Sequence, residues 1–228
     1  MTGSQQPLAL SWRDGGHFED YFPEQSNAAA VALLRQALNA GDCSICLRGS
    51  RGTGRTHLCL AAAEAIGDGA SYLSLKRPRE DANALLQQQP AVDLLCLDDA
   101  DLMLGDPASE KALFDLHNRI RDHRGCLIIT ENSDHPAQIN LPDLRSRWRG
   151  ATQIQLLPLS DQELASAWTR RARLRGLLPD AAVIQWMLTH RSRNFADWMQ
   201  TLEQLDSAAL ALGRRLTLPF VREQLTSK

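Results

Sequence analysis

The loop at residues 49–56 contains the residue types best suited to chemistry. Gly49, Gly54 and Thr56 fit the phosphate-binding pattern G-x-x-x-x-G-K-S/T, except that Arg55 stands in the lysine position. The glycines let the backbone turn tightly and direct its N–H groups toward phosphate oxygens. Arginine keeps the positive charge but places it on a longer planar group. We therefore expect the loop still to bind a nucleotide but to support fast hydrolysis less well. The residues expected to contact the nucleotide are Gly49, Gly52, Thr53, Gly54, Arg55, Thr56 and His57.

Two acidic residues follow the apolar run at residues 92–97. If this run is a strand of a parallel sheet, Asp98 and Asp99 lie at the carboxyl end of the sheet, beside the loop. We expect Asp98 to hold Mg²⁺ through water and Thr56 to offer its hydroxyl to the same ion. Asp99 is then placed to orient an attacking water molecule.

Polar residues also follow the apolar run at residues 126–129. Asn132, and second to it Thr130, can reach the terminal phosphate from a neighbouring strand. The alternative is that these side chains only cap the end of the strand.

Aromatic residues are densest at residues 17–23, just before the first predicted strand. Two interpretations are equally open. The rings can form a shelf for a nucleotide base, or they can belong to the hydrophobic core.

The elements that must position these residues alternate along the first two thirds of the chain. Short apolar runs predict strands, and apolar residues at helical spacing predict helices, the first of them capped by Asn27. The predicted strands are residues 43–48, 71–75, 92–97, 126–129 and 153–157, and the predicted helices are residues 28–38, 57–66, 78–89 and 112–120. This alternation is typical of an α/β fold whose parallel sheet is covered by helices on both faces.

From residue 160 onward the pattern predicts helices only. Ser160 and Glu163 form a capping box that opens a helix ending at Leu174, and Asp180 caps a second helix. A third helix is predicted at residues 195–212, and a short fourth begins near residue 217. We therefore predict a flexible arm at residues 1–12, a nucleotide-binding α/β domain at 13–157 and a small α-helical lid at 158–228.

The overall composition is that of a soluble globular protein. The 228 residues are 43% hydrophobic and 23% charged, and the sequence contains neither a run suited to a membrane span nor a signal peptide, so we expect a cytoplasmic protein. The net charge of −2 argues against strong non-specific binding of nucleic acid. The part after residue 157 is weakly basic, which fits a solvated helical surface or an approach to DNA or an acidic partner.

The five cysteines predict reduced thiols and no disulfide framework, because their number is odd and Cys46, Cys96 and Cys126 lie in apolar runs. Cys43 and Cys46 have C-x-x-C spacing. Residues three apart on a strand point to opposite faces, so a shared redox or zinc role is not favoured.

The N-terminal arm has no sustained periodicity and carries Pro7. Leu8 and Leu10 occupy alternating positions, which suits a peptide ligand for the groove of a partner protein. The alternative is an irregular chain terminus without a binding role.

Several separate stretches together resemble the AAA+ proteins of the DnaA initiator group, over nearly the full length of the chain. The stretches are residues 18–22 with Asn27, 54–58, 97–99, 114–119, 141–147, 173–176 and 216–221. Arg55 in the loop and the ending Pro219-Phe220-Val221 resemble, within that group, the regulatory inactivators of DnaA. The resemblance implies an AAA+ P-loop domain with a helical lid.

The resemblance also implies a function and partners. The chain would be a negative regulator of DNA replication initiation, bound to ADP (or ATP) with Mg²⁺, and would stimulate ATP hydrolysis by DnaA. Gln5, Leu8 and Leu10 match a peptide of the family that binds the DNA polymerase sliding clamp, so that DNA is contacted mainly through the clamp. A homodimer is a further assembly that the resemblance allows.

Individual residues acquire expected roles from the resemblance. Arg147 matches the arginine finger, which acts on ATP held by a neighbouring subunit, and Arg145 can support or replace it. Ala196 stands where the lid of the group normally supplies a second sensing arginine, and Arg193 lies three residues earlier. We therefore expect weak turnover of ATP by the chain itself, or none.

Two other functions remain open. Thr56, Asp98 and Asp99 also suit an independent ATPase that works as a motor or helicase loader. An initiator that reads DNA itself is less favoured, because no helix-turn-helix domain follows the DnaA-like part before Lys228.

Overall fold

A computed structural model describes the protein over residues 16–21, 26–135 and 138–226. The strands are β1 (Ser44–Gly49), β2 (Ala70–Ser74), β3 (Leu94–Asp98), β4 (Cys126–Asn132) and β5 (Thr152–Gln155). The helices are α1 (Ala28–Ala40), α2 (Arg55–Ile66), α3 (Arg79–Gln88), α4 (Pro107–Asp122), α5 (Pro142–Gly150), α6 (Asp161–Leu174), α7 (Ala181–His190), α8 (Phe195–Leu212) and α9 (Leu218–Thr226). Short 3₁₀ turns span Phe18–Asp20, Gly67–Gly69 and Ala100–Met103.

The strands form one parallel sheet in the order β2-β3-β4-β1-β5. Alternate residues of the buried strand β3 face two different cores, with Leu95 and Leu97 in one and Leu94 and Cys96 in the other. Strands that are buried on both faces must be apolar throughout, which explains the continuous apolar runs in the sequence. The predicted α/β fold with helices on both faces is confirmed.

Helix α5 was not predicted from the sequence. Its buried side chains are Leu144 and Trp148, four residues apart, and the rest of the helix is mostly charged or small. Pro142 occupies the first turn, where its missing N–H leaves no helical hydrogen bond unmade. Two apolar residues give too weak a periodic signal for a helix of nine residues.

The prediction of five reduced cysteines was wrong for one pair, because the structure joins Cys43 and Cys126 in a disulfide. The parallel register aligns Ser44 with Leu127, so Cys43 and Cys126 stand beside each other where the two central strands begin. Their Cα atoms are 4.5 Å apart, within the range that a disulfide spans. Cys46, Cys59 and Cys96 are buried free thiols, as expected.

Helices α6–α9 enclose a third core. Trp168, Trp198 and Phe220 are fully buried there, and the two indole rings meet edge to face with their centroids 5.8 Å apart. The Trp168 Nε1–H donates to the backbone oxygen of Trp198, which satisfies a polar group that would otherwise be buried without a partner. No described helix is long and apolar enough to cross a membrane.

The predicted cap of α1 was wrong, because the Asn27 side chain has a different role. Asn27 is fully buried, its Nδ2 donates to the backbone oxygen of Leu157, and its Oδ1 accepts from the N–H of Leu157. These paired bonds fasten the start of α1 to the segment that leads from β5 into α6.

A buried glutamate at the start of α6 makes a second connection. The capping box of Ser160 and Glu163 is confirmed, and Glu163 also accepts hydrogen bonds from the Ser26 hydroxyl at 2.7 Å and the Ser26 N–H at 3.2 Å. The Ser26 hydroxyl, then the Ser160 groups, lower the pKa of Glu163 from 4.5 to about 2, against the cost of burial. The carboxylate thus joins the residues before α1 to the helical lid.

We predict that Glu163→Gln destabilises the protein at neutral pH. The carboxylate has a lower pKa in the folded state, so its contribution is fully present above about pH 4.5 and is lost as the pH falls toward 2. The free energy of unfolding should fall by about 1–3 kcal/mol at pH 7 and by much less at pH 3, as measured by urea unfolding.

Glu203→Gln is the matched control, since Glu203 is an exposed glutamate on α8. It should leave the free energy of unfolding unchanged at both pH values. An equal loss for Glu163→Gln at pH 7 and pH 3 would contradict the charge-based explanation.

Candidate functional site

The predicted phosphate loop connects β1 to α2 at the carboxyl edge of the sheet. Gly52 and Gly54 have φ angles of 87° and 91°, in the left-handed region that glycine enters without strain. The backbone oxygen of Gly54 accepts the first hydrogen bond of α2, from Leu58. The loop therefore leads directly into a helix N-terminus, where free N–H groups favour an anion.

Arg55, in the lysine position, lies largely inside the protein. Its side chain is 11% exposed, and Nη2 lies 3.7 Å from Asp99 Oδ1. Nη1 is buried and has no hydrogen-bond partner among the described residues. A buried guanidinium with an unsatisfied nitrogen is costly, and a phosphate oxygen would supply the missing acceptor. The loop thus fits a phosphorylated ligand.

Thr56 and Asp98, the two predicted metal ligands, lie in direct contact. The Thr56 hydroxyl donates to Asp98 Oδ2 at 2.7 Å, the Tyr72 hydroxyl donates to the same oxygen at 2.9 Å, and the Thr130 hydroxyl donates to Oδ1 at 2.7 Å. Asp98 is 2% exposed. Hydroxyl and carboxylate oxygens are suitable ligands for Mg²⁺, directly or through water. Within the described ranges, no three His, Cys, Asp or Glu residues group as a metal site.

Asp99, predicted to orient water, turns away from the strand. Its φ angle is 57°, and its N–H donates to the Thr130 hydroxyl at 2.8 Å. Its side chain is 26% exposed. Burial and the neighbouring Asp98 raise the pKa of Asp99, and Arg55 opposes that rise. A carboxylate of raised pKa at the edge of the site is chemically suited to accept a hydrogen bond from water.

The two polar residues at the end of β4 differ in their surroundings. Thr130 is fully buried and is occupied by its bonds to Asp98 and Asp99. Asn132 lies opposite Gly49 in the parallel register, beside the loop, and its Oδ1 accepts from the N–H of Asp134. That bond is the strand-end cap that the sequence left open. A reach of the Asn132 amide nitrogen to a terminal phosphate stays a prediction.

The described aromatic residues before α1 belong to the core. Phe18 and Tyr21 are buried, and the Tyr21 hydroxyl donates to the backbone oxygen of Thr53 at 2.9 Å. The Tyr21 ring lies so close to Gly54 that a side chain at that position would collide with it. Tyr21 therefore braces the loop from one side. Phe22, which carried part of the resemblance, lies outside the described residues.

His57, the last predicted contact residue, packs against this aromatic side of the loop. Its ring centroid is 5.8 Å from that of Tyr21, and its Nε2 lies 3.1 Å from the backbone oxygen of His17. Burial lowers the pKa of His57, so the imidazole is neutral at pH 7. The side chain is thus used in packing, which leaves the backbone N–H as the group available to a phosphate.

The lid reaches the other side of the loop. Asn194 Nδ2 donates to the backbone oxygen of Arg51 at 2.9 Å, and Asn194 Oδ1 lies against Gly52. Arg51 Nη1 lies 3.1 Å from Asp197 Oδ1. Sequence reasoning missed both lid residues, although asparagine directly before α8 was a recognisable helix cap.

The position at which a second sensing arginine was expected is Ala196, which lies in the first turn of α8. Arg193 does not replace the missing arginine at the loop, because its Nε and Nη2 donate to Asp161 at 2.9 and 3.1 Å. That ion pair holds Arg193 against the start of α6.

Arg147, the predicted arginine finger, lies on α5 beside an open groove of about 380 Å³. We call this feature the arginine groove; its polar lining comprises Asp42, Ser44, His117, Arg121, Ser146 and Arg147. Within the part of the chain that the structure describes, no hydrogen bond or ion pair of the Arg147 side chain occurs. The groove lies where β1 begins, whereas the phosphate loop follows the end of that strand, about 16 Å away at the usual rise of a strand.

A buried side chain of strand β4 orients helix α5. Glu131 is 5% exposed, and its Oε2 accepts from Trp148 Nε1 at 2.8 Å and from Arg48 Nε at 3.0 Å. Trp148 follows Arg147 directly, so its anchoring sets the direction in which Arg147 leaves the helix. Arg145 lies half-buried on the same helix.

The predicted clamp-binding residues Gln5, Leu8 and Leu10 lie outside the described residues. The structure therefore leaves their role a prediction.

Comparisons with known proteins agree with this arrangement. Residues 161–225 match the family model for the lid domain of Hda. Domain III of the replication initiation protein DnaA from Thermotoga maritima superposes with a TM-score of 0.78 at 16% identity, covering 97% of this chain and 98% of that chain.

Two further solved structures share the architecture. AMPPCP-bound DnaA from Aquifex aeolicus gives a TM-score of 0.64 at 21% identity, over 89% of this chain and 65% of that chain. The RuvB Holliday junction branch migration motor of Thermotoga maritima gives 0.68 at 15% identity, over 93% and 72%. At these identities the likeness concerns the fold, an α/β AAA+ fold with a lid.

Proposed function

We propose that this chain, an Hda-like AAA+ protein related to DnaA, is a nucleotide-bound negative regulator of DNA replication initiation. It would dock on the DNA-loaded sliding clamp and stimulate ATP hydrolysis by DnaA. The position of Arg147 carries the proposal. Its side chain has no ion-pair partner in the described ranges and lies at the opposite end of β1 from the chain's own loop.

Arg147 is suited to act on a nucleotide that another subunit holds. Phosphoryl transfer spreads negative charge over the terminal phosphate, and a guanidinium brought to it stabilises that charge. Arg147 lines a groove where β1 begins, and the chain's own loop follows the other end of that strand, which is about 16 Å long, so we propose that a second subunit provides the phosphate. DnaA bound to ATP is the proposed second subunit.

The chain's own loop is proposed to hold ADP (or ATP) with Mg²⁺. The buried, unsatisfied Nη1 of Arg55 supports a phosphate at the loop, and the contact of Thr56 with Asp98 supports a magnesium ion beside it. The DnaA relative from Aquifex aeolicus was solved with AMPPCP. In this chain the nucleotide would stabilise the loop and lid together.

Weak turnover of the chain's own nucleotide follows from two features. Arg55 is drawn toward Asp99, which places opposite charge beside the carboxylate proposed to orient water. Arg193 is held by Asp161 and Ala196 has no charge, so the lid offers no arginine to the terminal phosphate at either position. We therefore propose that hydrolysis is activated mainly in DnaA.

The arm at residues 1–12 is proposed to carry the attachment to the clamp, with Gln5, Leu8 and Leu10 as contact residues. Contact with DNA would then be made mainly through the clamp. In a homodimer, Arg147 would contact a second copy of the chain when DnaA is absent.

An independent motor or helicase loader is the second candidate. The complete set of Thr56, Asp98 and Asp99 favours it, and the fold is shared with the RuvB branch migration motor. ATP turnover by the purified chain, lost in Asp99→Asn, would favour this candidate over the regulator.

We predict that Arg55→Met weakens binding of ADP with Mg²⁺ by about 10-fold or more, because charged hydrogen bonds to phosphate contribute on the order of 1.5–3 kcal/mol. Isothermal titration calorimetry measures the affinity. Arg55→Lys, which restores a cation, should recover part of it. Arg77→Met removes an exposed cation at the end of β2 and should have no effect. Unchanged affinity in Arg55→Met would contradict the assignment.

We predict that Arg147→Ala abolishes the stimulation of DnaA. With clamp and DNA present, the rate of ATP hydrolysis by DnaA should fall by about 10³-fold, or to the unstimulated rate if that is reached first. Arg149→Ala is the matched control, since it removes the same charge from α5 two residues away and outside the arginine groove. Normal stimulation by Arg147→Ala would refute the proposed mechanism.

We predict that replacing Gln5, Leu8 and Leu10 together by alanine weakens binding to the immobilised clamp by at least about 30-fold, the size expected for loss of interface hot spots. Surface plasmon resonance gives the affinity. Gln6→Ala changes the same segment at a position outside the proposed contacts and serves as the control. If the triple variant binds the clamp like the wild type, the arm has another role.

A further inference from the structure

We propose that the arginine groove is a binding site for a phosphoryl group, in which Arg121 is a second cation beside Arg147. The inference about which molecule supplies the phosphate rests on the proposed function; the inference about the chemistry of the groove does not. The groove is separate from the chain's own phosphate loop, since it lies at the other end of β1.

The charges of the groove favour an anion. Arg121 and Arg147 both line it, against a single carboxylate, that of Asp42. The ion pair of Arg121 with Asp122 is long, at 3.8 Å, and exposed, so it costs little to give up. Two guanidinium groups can meet the oxygens of one phosphate with several charged hydrogen bonds.

The neutral groups of the groove are also suited to phosphate. Ser146 brings a hydroxyl group to its wall that can donate to an oxygen, whereas the Ser44 hydroxyl lies 3.5 Å from His117 Nε2. The volume of about 380 Å³ exceeds what one phosphate needs, which leaves room for a larger group attached to it.

His117 lines the groove and has one ring nitrogen without a hydrogen-bond partner among the described residues. Its Nδ1 is buried without a partner among the described residues, while Nε2 lies 3.5 Å from the Ser44 hydroxyl. Burial, followed by the charges of Arg147 and Arg121, lowers the pKa of His117 to about 4. The imidazole is therefore neutral at pH 7, and in the tautomer with the proton on Nδ1 it can donate one N–H, while Nε2 accepts from the Ser44 hydroxyl.

The same chemistry can come from two sources. One is the terminal phosphate of the nucleotide that a partner subunit holds, in which case Arg121 contacts the phosphate together with Arg147. The other is a free phosphorylated compound that occupies the groove of the isolated chain. Both require the same cations, so a binding measurement tests the groove, and a hydrolysis measurement tests the source.

Inorganic phosphate is the probe for the isolated chain. Two-dimensional NMR separates the two sites, because the amide signals of Ser146 and Ala151 report on the groove and those of Gly52 and Gly54 report on the loop. We expect saturable shifts at the groove amides, weakened by about 10-fold or more in Arg121→Ala. No saturable shift there would overturn the proposal.

Arg149→Ala is the matched control for this titration and should bind phosphate like the wild type. Ser146→Ala and His117→Phe each remove one uncharged donor and should weaken binding less than Arg121→Ala does. Equal affinities of wild type and Arg121→Ala would overturn the role of Arg121 even if phosphate binds.

Hydrolysis of ATP by DnaA, with clamp and DNA present, identifies the source. If the partner's nucleotide supplies the phosphate, Arg121→Ala should lower the stimulated rate by about 10-fold, and Arg149→Ala should not. A normal rate in Arg121→Ala would overturn this source and support the free compound. If the wild-type chain fails to stimulate DnaA at all, the proposed function fails, whereas the phosphate titration still judges the groove.

Discussion

The buried carboxylate of Asp98 is the interaction on which the order of the nucleotide site depends. A charge at 2% exposure is tolerated only with several hydrogen bonds, and three hydroxyl groups supply them. Thr56 comes from α2, Tyr72 from β2 and Thr130 from β4, so one carboxylate ties the helix after the loop to three neighbouring strands. The same Thr130 hydroxyl accepts from the N–H of Asp99 and thereby sets the turn that follows β3.

Hydrogen bonds of polar side chains join the lid to the α/β part of the protein. Asn27 holds the segment before α6, Glu163 holds the residues before α1, and Asn194 holds the loop itself. Each contact would be exchanged for hydrogen bonds to water if the lid moved away. The loop is thus braced by Tyr21 on one side and by α8 on the other, and its conformation and the placement of the lid depend on each other.

Much of the fold was predictable because its signals are local. Alternating apolar runs and helices identified the sheet, and the spacing of Ser160 and Glu163 identified the start of α6. Side-chain contacts between distant elements were not predictable. Asn27 looked like a helix cap but bonds to Leu157, and Cys43 is paired with Cys126 because of strand order, which no local pattern encodes. The glycines and Thr56 of the loop could be found from their spacing, whereas the bracing by Tyr21 and Asn194 depends on packing across the fold.

Strand β4 carries consequences for both ends of the proposed chemistry. Its residue Thr130 bonds to the acidic pair of the chain's own site, and the next residue, Glu131, points to the opposite face and holds Trp148, beside Arg147. Successive side chains of a strand point to opposite faces. One strand end therefore positions groups of both sites: Thr130 holds the acidic pair on one face, and Glu131 holds the helix that carries Arg147 on the other.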